Sequence, residues 1–272
     1  MPEPRPLTVT VIARDEERNL GRCLASVAWA DERIVVDSGS ADRTAEIARR
    51  HGARVVTNPW PGYAEQKNRA AAEARHAWIL SLDADEWLEP GAEGEIRAVL
   101  SDPACAAYAF RRISAFAGAF LPRTWSPDLQ VRLYRRDAAR FAGGHVHESV
   151  RVDPPARVGR LRSPLLHLTH RSVSAQVDRL NRYSDLASRD AGRRFSRWRM
   201  LVGPRAAFLK MYLVKGGFLD GVRGYIAAAN HAHYVFLKSA KIWDRTRPAD
   251  TAFEARVPRT PEDPDPGARY TG

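Results

Sequence analysis

The feature that most constrains the fold is a regular alternation of short apolar runs and helical periods over the first hundred residues. Four apolar runs have the length and continuity of buried strands, and they span residues 7–13, 33–37, 54–57 and 77–83. Three segments with apolar residues at helical spacing separate these runs, at residues 17–28, 42–51 and 64–75. This order predicts an α/β fold with a parallel sheet and right-handed crossovers, whose ligands bind at the carboxyl ends of the strands.

The pattern changes after a predicted helix at residues 92–100. β-rich pieces follow at residues 107–113 and 129–135, and the chain turns helical again from Ser174. Past Pro248 the sequence is rich in Pro, Asp and Arg, which predicts a loose tail. We therefore divide the chain into an α/β domain at residues 1–170, a helical extension at residues 171–247 and a flexible tail at residues 248–272.

The charge balance indicates an anionic partner, because 43 Lys and Arg against 32 Asp and Glu leave a net charge of +11. The surplus clusters late in the chain, and no aromatic and Gly signature of an RNA-binding sheet accompanies it. We therefore expect a membrane surface or a phosphorylated substrate, and no nucleic acid. Cys23 and Cys105 lie far apart without zinc or disulfide spacing. The absence of a signal peptide or a long apolar segment predicts a cytoplasmic protein.

The sequence SLDADEWL at residues 81–88 is the strongest indication of chemistry. Asp83 and Asp85 follow a predicted buried strand with one residue between them, and such carboxylates suit Mg²⁺ or Mn²⁺ bridged to a diphosphate. The ion would neutralise charge on a leaving nucleoside diphosphate. The alternative for this short motif is an acidic turn in water. Its position at the end of a strand favours the metal site.

The sequence VVDSGSADRT at residues 35–44 is the second indication. Asp37 ends a predicted strand, and the residues SGS form a tight turn into a helix. A carboxylate at this place accepts hydrogen bonds from a base or a ribose in other nucleotide-binding folds. Asp42 fits a helix N-cap equally well, whereas Asp37 lies too early for that role.

Four blocks, taken in order, resemble the nucleotide-sugar domain of family 2 glycosyltransferases: VTVIARDEERNL, IVVDSGSADRTAEIA, YAEQKNRA and WILSLDADEWL. The resemblance implies a GT-A fold, a nucleotide-diphosphate sugar donor, Mg²⁺ or Mn²⁺, and inversion at the anomeric carbon. By position it implies a donor site of Ala13, Arg14 and Glu16 at the first strand end, Asp37 at the base, and Lys67 and Asn68 in a donor-facing loop. Asp83 and Asp85 then contact the diphosphate and the metal.

Three later pieces are similar to the bacterial branch of that family that glucosylates the lipopolysaccharide inner core as a β-1,4-glucosyltransferase: WSPDLQVRLYRR, GGHVHESV and KGGFLDGVRGYIAAANHAHYVFLKSAKIW. The resemblance implies UDP-glucose as donor and a lipid-linked saccharide as acceptor. Inverting transfer needs a base for the acceptor hydroxyl. Glu148 is the best-placed carboxylate, and Asp128 is the second candidate. His145 and His147 precede Glu148 either as a structural pair or with one of them as a metal ligand.

Residues 195–243 combine aromatic and aliphatic side chains with Arg and Lys at helical spacing. A basic amphipathic helix of this kind lies in the headgroup plane of an anionic membrane. The alternative is a helix packed on the α/β domain with its basic side in water. Two interpretations are also open for Arg132 and Arg135, which flank a predicted strand. They could bind the donor phosphates, or they could form an alternating charged face of the strand.

Together these features predict a hexosyltransferase, peripheral at the inner face of the plasma membrane. One alternative is a nucleotidyltransferase or another metal-dependent nucleotide enzyme, although ARDEERNL is not a Gly-rich phosphate loop. The other is a non-catalytic membrane-surface module, in which DADE is only an acidic turn.

Overall fold

The computed structural model describes residues 3–143, 148–154, 156–189, 194–248 and 256. The strands of the first part are β1 (Leu7–Ala13), β2 (Glu32–Asp37), β3 (Arg54–Thr57), β4 (Trp78–Asp83), β5 (Glu86–Leu88) and β6 (Ala107–Phe116). The later strands are β7 (Ala119–Leu121), β8 (Leu129–Arg135), β9 (Ala139–Gly143), β10 (Glu148–Val152), β11 (Val158–Arg160) and β12 (Leu165–His170). The α-helices are α1 (Leu20–Ser26), α2 (Thr44–Arg50), α3 (Tyr63–Ala72), α4 (Ala92–Ser101), α5 (Val173–Ser188), α6 (Arg197–Leu209) and α7 (Gly221–Thr246).

Ten of these strands form one mixed sheet in the order β3-β2-β1-β4-β8-β6-β12-β5, with β7 and β11 paired to β6. The four strands β3, β2, β1 and β4 are parallel to one another. Beyond them, β8 runs antiparallel to both β4 and β6. The predicted parallel sheet is therefore confirmed for the first four strands, and the second half of the domain extends it with antiparallel pairs at β8 and parallel pairs of β11 and β12 with β6.

Helices cover both faces of this sheet, which explains why β1 is buried along its whole length. Val11 packs on one face in a cluster with Leu24 of α1 and Ile96 of α4. Ile12 points to the opposite face, where it clusters with Ala70 of α3. A strand between two apolar layers needs apolar side chains at nearly every position, and this is the pattern that predicts β1.

The helix α1 begins at Leu20, three residues later than the predicted start. The preceding segment is held as a loop, because the N–H groups of Glu16 and Glu17 donate to Thr44 Oγ1 at 2.7 Å and Asp42 Oδ2 at 3.0 Å. Backbone donors bound to these side chains leave the segment outside the helix. The loop after β1 is thereby fixed against the start of α2.

The C-terminal helices α6 and α7 form an antiparallel hairpin. Gly203 faces Val235, while the rings of Phe208 and Tyr225 lie 5.5 Å apart, so residue numbers rise along one helix as they fall along the other. A π-helical turn (Lys210–Val214) and a 3₁₀ turn (Gly217–Asp220) connect the two helices.

The helix α5 packs against this hairpin. Asn230 donates to Gln176 Oε1 at 2.6 Å, and Lys241 lies 2.9 Å from Asp185. Within the described ranges, no helix is long and apolar enough to cross a membrane. The division into domains at residue 170 stays a prediction, and of the predicted tail only Pro248 and Arg256 are described.

Candidate active site

The carboxyl ends of neighbouring strands bring the first predicted donor residues to one edge of the sheet. Ala13 at the end of β1 is paired with Asp37 at the end of β2. On its other side, Ile12 of β1 is paired with Asp83 at the end of β4. Arg14 follows Ala13 and is exposed to solvent. The edge predicted from the β-α-β pattern is thus formed by residues far apart in sequence.

The buried carboxylate of Asp37 closes the turn that follows β2. The Ser40 N–H donates to both of its oxygens, at 3.3 and 3.1 Å, and the Ser40 hydroxyl donates to it as well. Gly39 within this turn has φ of 85°, a left-handed conformation that glycine adopts without steric cost. Asp37 therefore shapes the loop beside the strand end, and its contact with a base stays a prediction.

Glu16 lies on the loop after β1, close to the acidic motif. Its Oε2 accepts a hydrogen bond from Asn19 Nδ2 at 2.7 Å. Burial raises the pKa of Glu16 above its usual value, and the negative charges of Asp85 and Asp42 raise it further against the opposing effect of Asn19. A cation placed between these acids would relieve their repulsion.

Asp83 lies between two buried cations. Its Oδ1 is 2.8 Å from Lys67 Nζ, and its Oδ2 accepts from Arg132 at 2.7 Å. Burial alone would raise the pKa of Asp83, but Arg132 and Lys67 outweigh burial and hold it well below its usual range. The same ammonium of Lys67 also lies 2.8 Å from Glu148 Oε1. Lys67 therefore joins the end of β4 to the start of β10.

This network continues through the sheet on the other side of Asp83. Arg132 donates to the fully buried Glu86 at 2.6 Å, and Arg112 donates to Glu86 at 3.2 Å and to Asp128 at 2.8 Å. The ion-pair chain, as we name it, consists of Glu148, Lys67, Asp83, Arg132, Glu86, Arg112 and Asp128. Charges alternate along it, and the two candidate bases lie at its two ends.

Two predicted placements are wrong. Lys67 and Asn68 lie on α3 and not in a loop, because the helical pattern of YAEQKNRA continues through them. The Asn68 side chain also bonds the backbone of Phe141, as donor and as acceptor at 2.9 Å each, and so ties α3 to β9. The donor contacts of Lys67 and Asn68 stay predictions.

The interpretation of Arg132 and Arg135 as one alternating charged face is also wrong for Arg132. This residue is buried, because β8 lies between β4 and β6 in the interior of the sheet. Arg135, at the end of the same strand, is only partly buried and pairs with Asp137 at 2.6 Å. Sequence periodicity along β8 could not reveal that its neighbours bury only one of the two.

Asp85 faces a histidine of β12. Its Oδ2 is 3.3 Å from His167 Nε2, while His167 Nδ1 faces Thr169 Oγ1 at 3.0 Å. The pairing of β12 with β5 places His167 beside the acidic motif. Adjacent ligands of an octahedral Mg²⁺ or Mn²⁺ are about 3 Å apart. The two side chains therefore fit a divalent cation as neighbouring ligands.

The described residues contain no group of three or more His, Cys, Asp or Glu that could hold a metal ion. Two protein ligands are the usual number for an ion that shares substrate phosphates and retains several waters. His145 and His147, the other predicted candidates, lie outside the described residues.

This fold and site define a GT-A glycosyltransferase: a sheet with four parallel strands, acidic side chains at their carboxyl ends, and a β-rich second half. The chain belongs to glycosyl transferase family 2, whose family model matches residues 8–150. The enzyme class predicted from the sequence is thus confirmed, and family membership favours it over a nucleotidyltransferase or a non-catalytic module.

Similar proteins cover most of the chain. The lipopolysaccharide core biosynthesis glycosyltransferase LpsC of Rhizobium meliloti is 31% identical, over 88% of this chain and 93% of that protein. The uncharacterized glycosyltransferase RP128 of Rickettsia prowazekii is 29% identical, over 88% and 87%. The resemblance to lipopolysaccharide core enzymes is therefore confirmed at the level of homology.

Two solved structures align with this chain. TarS (residues 1–349) of S. aureus aligns with a TM-score of 0.46 and 14% identity, over 87% of this chain and 89% of that chain. The glucosyl-3-phosphoglycerate synthase of Mycobacterium tuberculosis, solved with Mn²⁺, UDP and glucosyl-3-phosphoglycerate, aligns with a TM-score of 0.35 and 26% identity, over 42% and 45%.

Proposed function

We propose that this protein transfers glucose from UDP-glucose to a lipid-linked saccharide of the lipopolysaccharide core, with inversion at the anomeric carbon. The observation that carries the proposal is the meeting of Ala13, Asp37 and Asp83 at one edge of the sheet, beside Asp85 and His167. The name of the relative LpsC supports the class of acceptor.

The donor binds across this edge. The nucleoside lies against the ends of β1 and β2, where Asp37 and the loop after Ala13 form the pocket wall, and the diphosphate points toward Asp85. Lys67 and Arg132 fix the carboxylate of Asp83 from two sides. A carboxylate held in this way is preorganised for ligand contacts.

Asp85 and His167 would hold Mg²⁺ or Mn²⁺. The bound ion would supply charge stabilisation for the leaving diphosphate. The protein contributes the orientation of the two ligands: Thr169 faces the Nδ1 side of His167, and the backbone carbonyl of Asp85 accepts from the Leu168 N–H at 3.0 Å.

Glu148 is the proposed base. It takes the proton of the acceptor hydroxyl as that oxygen attacks the anomeric carbon, while the bond to the diphosphate breaks on the opposite face. One bond forms and one breaks on opposite faces, so the configuration inverts. Glu148 and Asp83 bind the same ammonium of Lys67, and this shared contact supports a base beside the donor edge. Asp128, at the other end of the ion-pair chain, is the second candidate.

A lipid-linked acceptor also bears on where the enzyme works. The sequence predicts a cytoplasmic protein, so we place its reaction with a lipid-linked acceptor at the inner face of the plasma membrane. A peripheral enzyme fits the net charge of +11, because anionic headgroups attract cationic proteins.

The test is a transfer assay with UDP-glucose, Mn²⁺ and purified lipopolysaccharide core, followed by NMR of the anomeric proton of the product. Because UDP-glucose carries an α-linked sugar, we expect a β-linked product. A product with the α configuration would contradict inversion. Absence of transfer and of donor hydrolysis with UDP-glucose, UDP-galactose, GDP-mannose and ADP-heptose alike would overturn the proposed function.

A further inference from the structure

The outer face of α6 carries an exposed apolar stripe. Gly203 contacts Val235 of α7, so the side of α6 that carries Gly203 is its inner face. Positions 198, 201, 202 and 209 lie on the opposite side at 100° per residue. Their side chains are Trp198, Leu201, Val202 and Leu209, which we call the outer stripe, and all four are exposed. No residue of α6 is buried.

The stripe leads into an apolar tip at the turn between α6 and α7. Five exposed side chains form this tip: Leu213, Val214, Phe218, Leu219 and Val222. Val214 is 80% exposed and Val222 is 75% exposed, values that are unusual for aliphatic residues of a folded domain. An exposed apolar patch of this extent marks an interaction surface.

The charges around the outer stripe and the tip are almost all positive. Residues 195–222, which include the outer stripe and the tip, contain five Lys and Arg and a single acid, Asp220. Asp220 is turned inward, where its Oδ2 accepts from the Thr124 N–H at 2.7 Å and the Thr124 hydroxyl at 2.6 Å. Lys210 and Arg205 are exposed beside the apolar side chains. The outward field of this surface is therefore cationic.

We propose that the outer stripe and the tip dock onto an anionic lipid bilayer. Exposed aliphatic and Trp side chains flanked by cations insert at the headgroup boundary, where the cations meet anionic lipid. Charge complementarity favours this occupant over a second copy, because a two-fold interface through this surface would oppose Lys210 and its neighbours to like charges. The inference rests on the proposed lipid-linked acceptor and adds the surface that reaches the membrane.

The docking surface is connected to the catalytic domain on the side of Asp128. Asp220 binds the loop between β7 and β8 through Thr124, and Arg223 donates to the Ala117 carbonyl at 3.0 Å. This loop leads directly to Asp128 and β8, the strand that carries Arg132. Docking through the tip would therefore set the orientation of one end of the ion-pair chain relative to the bilayer.

The test is cosedimentation of the full-length protein with vesicles of phosphatidylcholine alone and of phosphatidylcholine with phosphatidylglycerol. The variants are Val214→Glu and Val222→Glu, whose exposed positions tolerate a charge without loss of packing. The matched control is Val158→Glu, also exposed. Val158 pairs with Ala107 at the start of β6, about 30 Å along this ten-residue strand from its end beside Ala117.

We expect the wild type and Val158→Glu to sediment with the phosphatidylglycerol vesicles, and each tip variant to bind about tenfold more weakly. Lys210→Ala should weaken binding about fivefold and reduce its salt dependence. Equal binding by Val214→Glu and wild type would overturn the proposal, as would a wild type that does not sediment. Concentration-dependent dimers that Val214→Glu dissociates would assign the surface to a second copy.

Donor turnover separates this inference from the proposed function. Hydrolysis of UDP-glucose with Mn²⁺ in the absence of vesicles should be the same for wild type and Val214→Glu. Loss of vesicle binding with hydrolysis intact supports the docking surface. Failure of the wild type to hydrolyse any donor counts against the proposed function, while vesicle binding is read independently.

Discussion

The buried carboxylate of Glu86 shows how strongly the site depends on paired charges. It accepts from Arg132 and Arg112, and its Oε2 accepts from the Asp83 N–H at 3.1 Å. One side chain thus satisfies two cations and fixes the backbone of the acidic motif. Four acids and three cations make up the ion-pair chain, and removal of Glu86 takes one partner from each of two cations, Arg132 and Arg112.

Replacement of Glu86 by Ala should lower the free energy of unfolding by about 3–5 kcal/mol, because it removes the buried acid that Arg132 and Arg112 share and leaves these two positive charges side by side. Asp137→Ala is the matched control, since its pair with Arg135 is exposed and worth less than about 1 kcal/mol. Urea denaturation followed by circular dichroism measures both. A similarly small loss of unfolding free energy in the two variants would show that the buried ion pairs contribute little to stability.

Glu148→Gln should lower kcat by about 10²–10⁴-fold, because the amide cannot accept the acceptor's proton. Donor affinity should stay within about twofold of wild type. Asp128→Asn is the control, with the opposite expectation of a small effect on kcat. Steady-state kinetics with saturating donor distinguishes them, and a large loss in Asp128→Asn with Glu148→Gln active would move the base to Asp128.

His170 provides a prediction on pH. Burial, followed by the positive charge of Arg179, lowers the pKa of His170 to about 4. The unfolded state takes up this proton near pH 6.5, so stability is lost as pH falls from about 6.5 toward 4. The free energy of unfolding should fall between pH 7 and pH 5 in the wild type. In His170→Gln this fall should be smaller by about 1 kcal/mol, allowing for solvent screening. An equal fall in the unfolding free energy of the two proteins would contradict the lowered pKa of His170.

At the scale of elements, the turn between α6 and α7 depends on close backbone contact. A Cβ on Gly224 would lie 1.9 Å from the Gly217 carbonyl oxygen, and one on Gly217 would lie 2.8 Å from the Met211 carbonyl oxygen. The start of α7 therefore packs on the 3₁₀ turn without room for a side chain.

Gly224→Ala should lower the free energy of unfolding by about 1–3 kcal/mol, since the clash outweighs the gain in helix propensity. Gly94→Ala in α4 is the matched control, because a Cβ there meets nothing within 4 Å. The free energy of unfolding of Gly94→Ala should rise by about 0.5–1 kcal/mol from the higher helix propensity of Ala alone. Thermal unfolding of both measures the difference, and a stabilised Gly224→Ala would refute the close packing.

Elements with a strong local pattern could be predicted from the sequence. β1, β3 and β8 have the predicted bounds, and α4 extends the predicted helix by one residue. The start of α1 could not be predicted, because side chains of Asp42 and Thr44, distant in sequence, hold the preceding loop. The antiparallel placement of β8 between β4 and β6 likewise depends on long-range pairing that carries no local pattern.

At the scale of the whole molecule, the strand ends of the site were predictable, whereas the pairing of its Lys and Arg side chains with distant acids was not. Asp37, Asp83 and Asp85 follow apolar runs, and parallel order alone gathers such ends at one edge. Lys67 and Glu148 are 81 residues apart, and only the packing of α3 against β9 and β10 brings them together. His167 reaches Asp85 through the pairing of β12 with β5, for which the sequence held no local indication.

The central claim is that a nucleotide sugar binds at the ends of β1, β2 and β4 with a divalent cation at Asp85. Calorimetric titration of UDP-glucose into wild type, Asp85→Asn and the control Asp137→Asn, each with and without Mn²⁺, tests it most directly. The account predicts Mn²⁺-dependent binding to wild type and the control, and binding at least about tenfold weaker for Asp85→Asn. Binding of equal strength to Asp85→Asn, or binding indifferent to Mn²⁺, would contradict it.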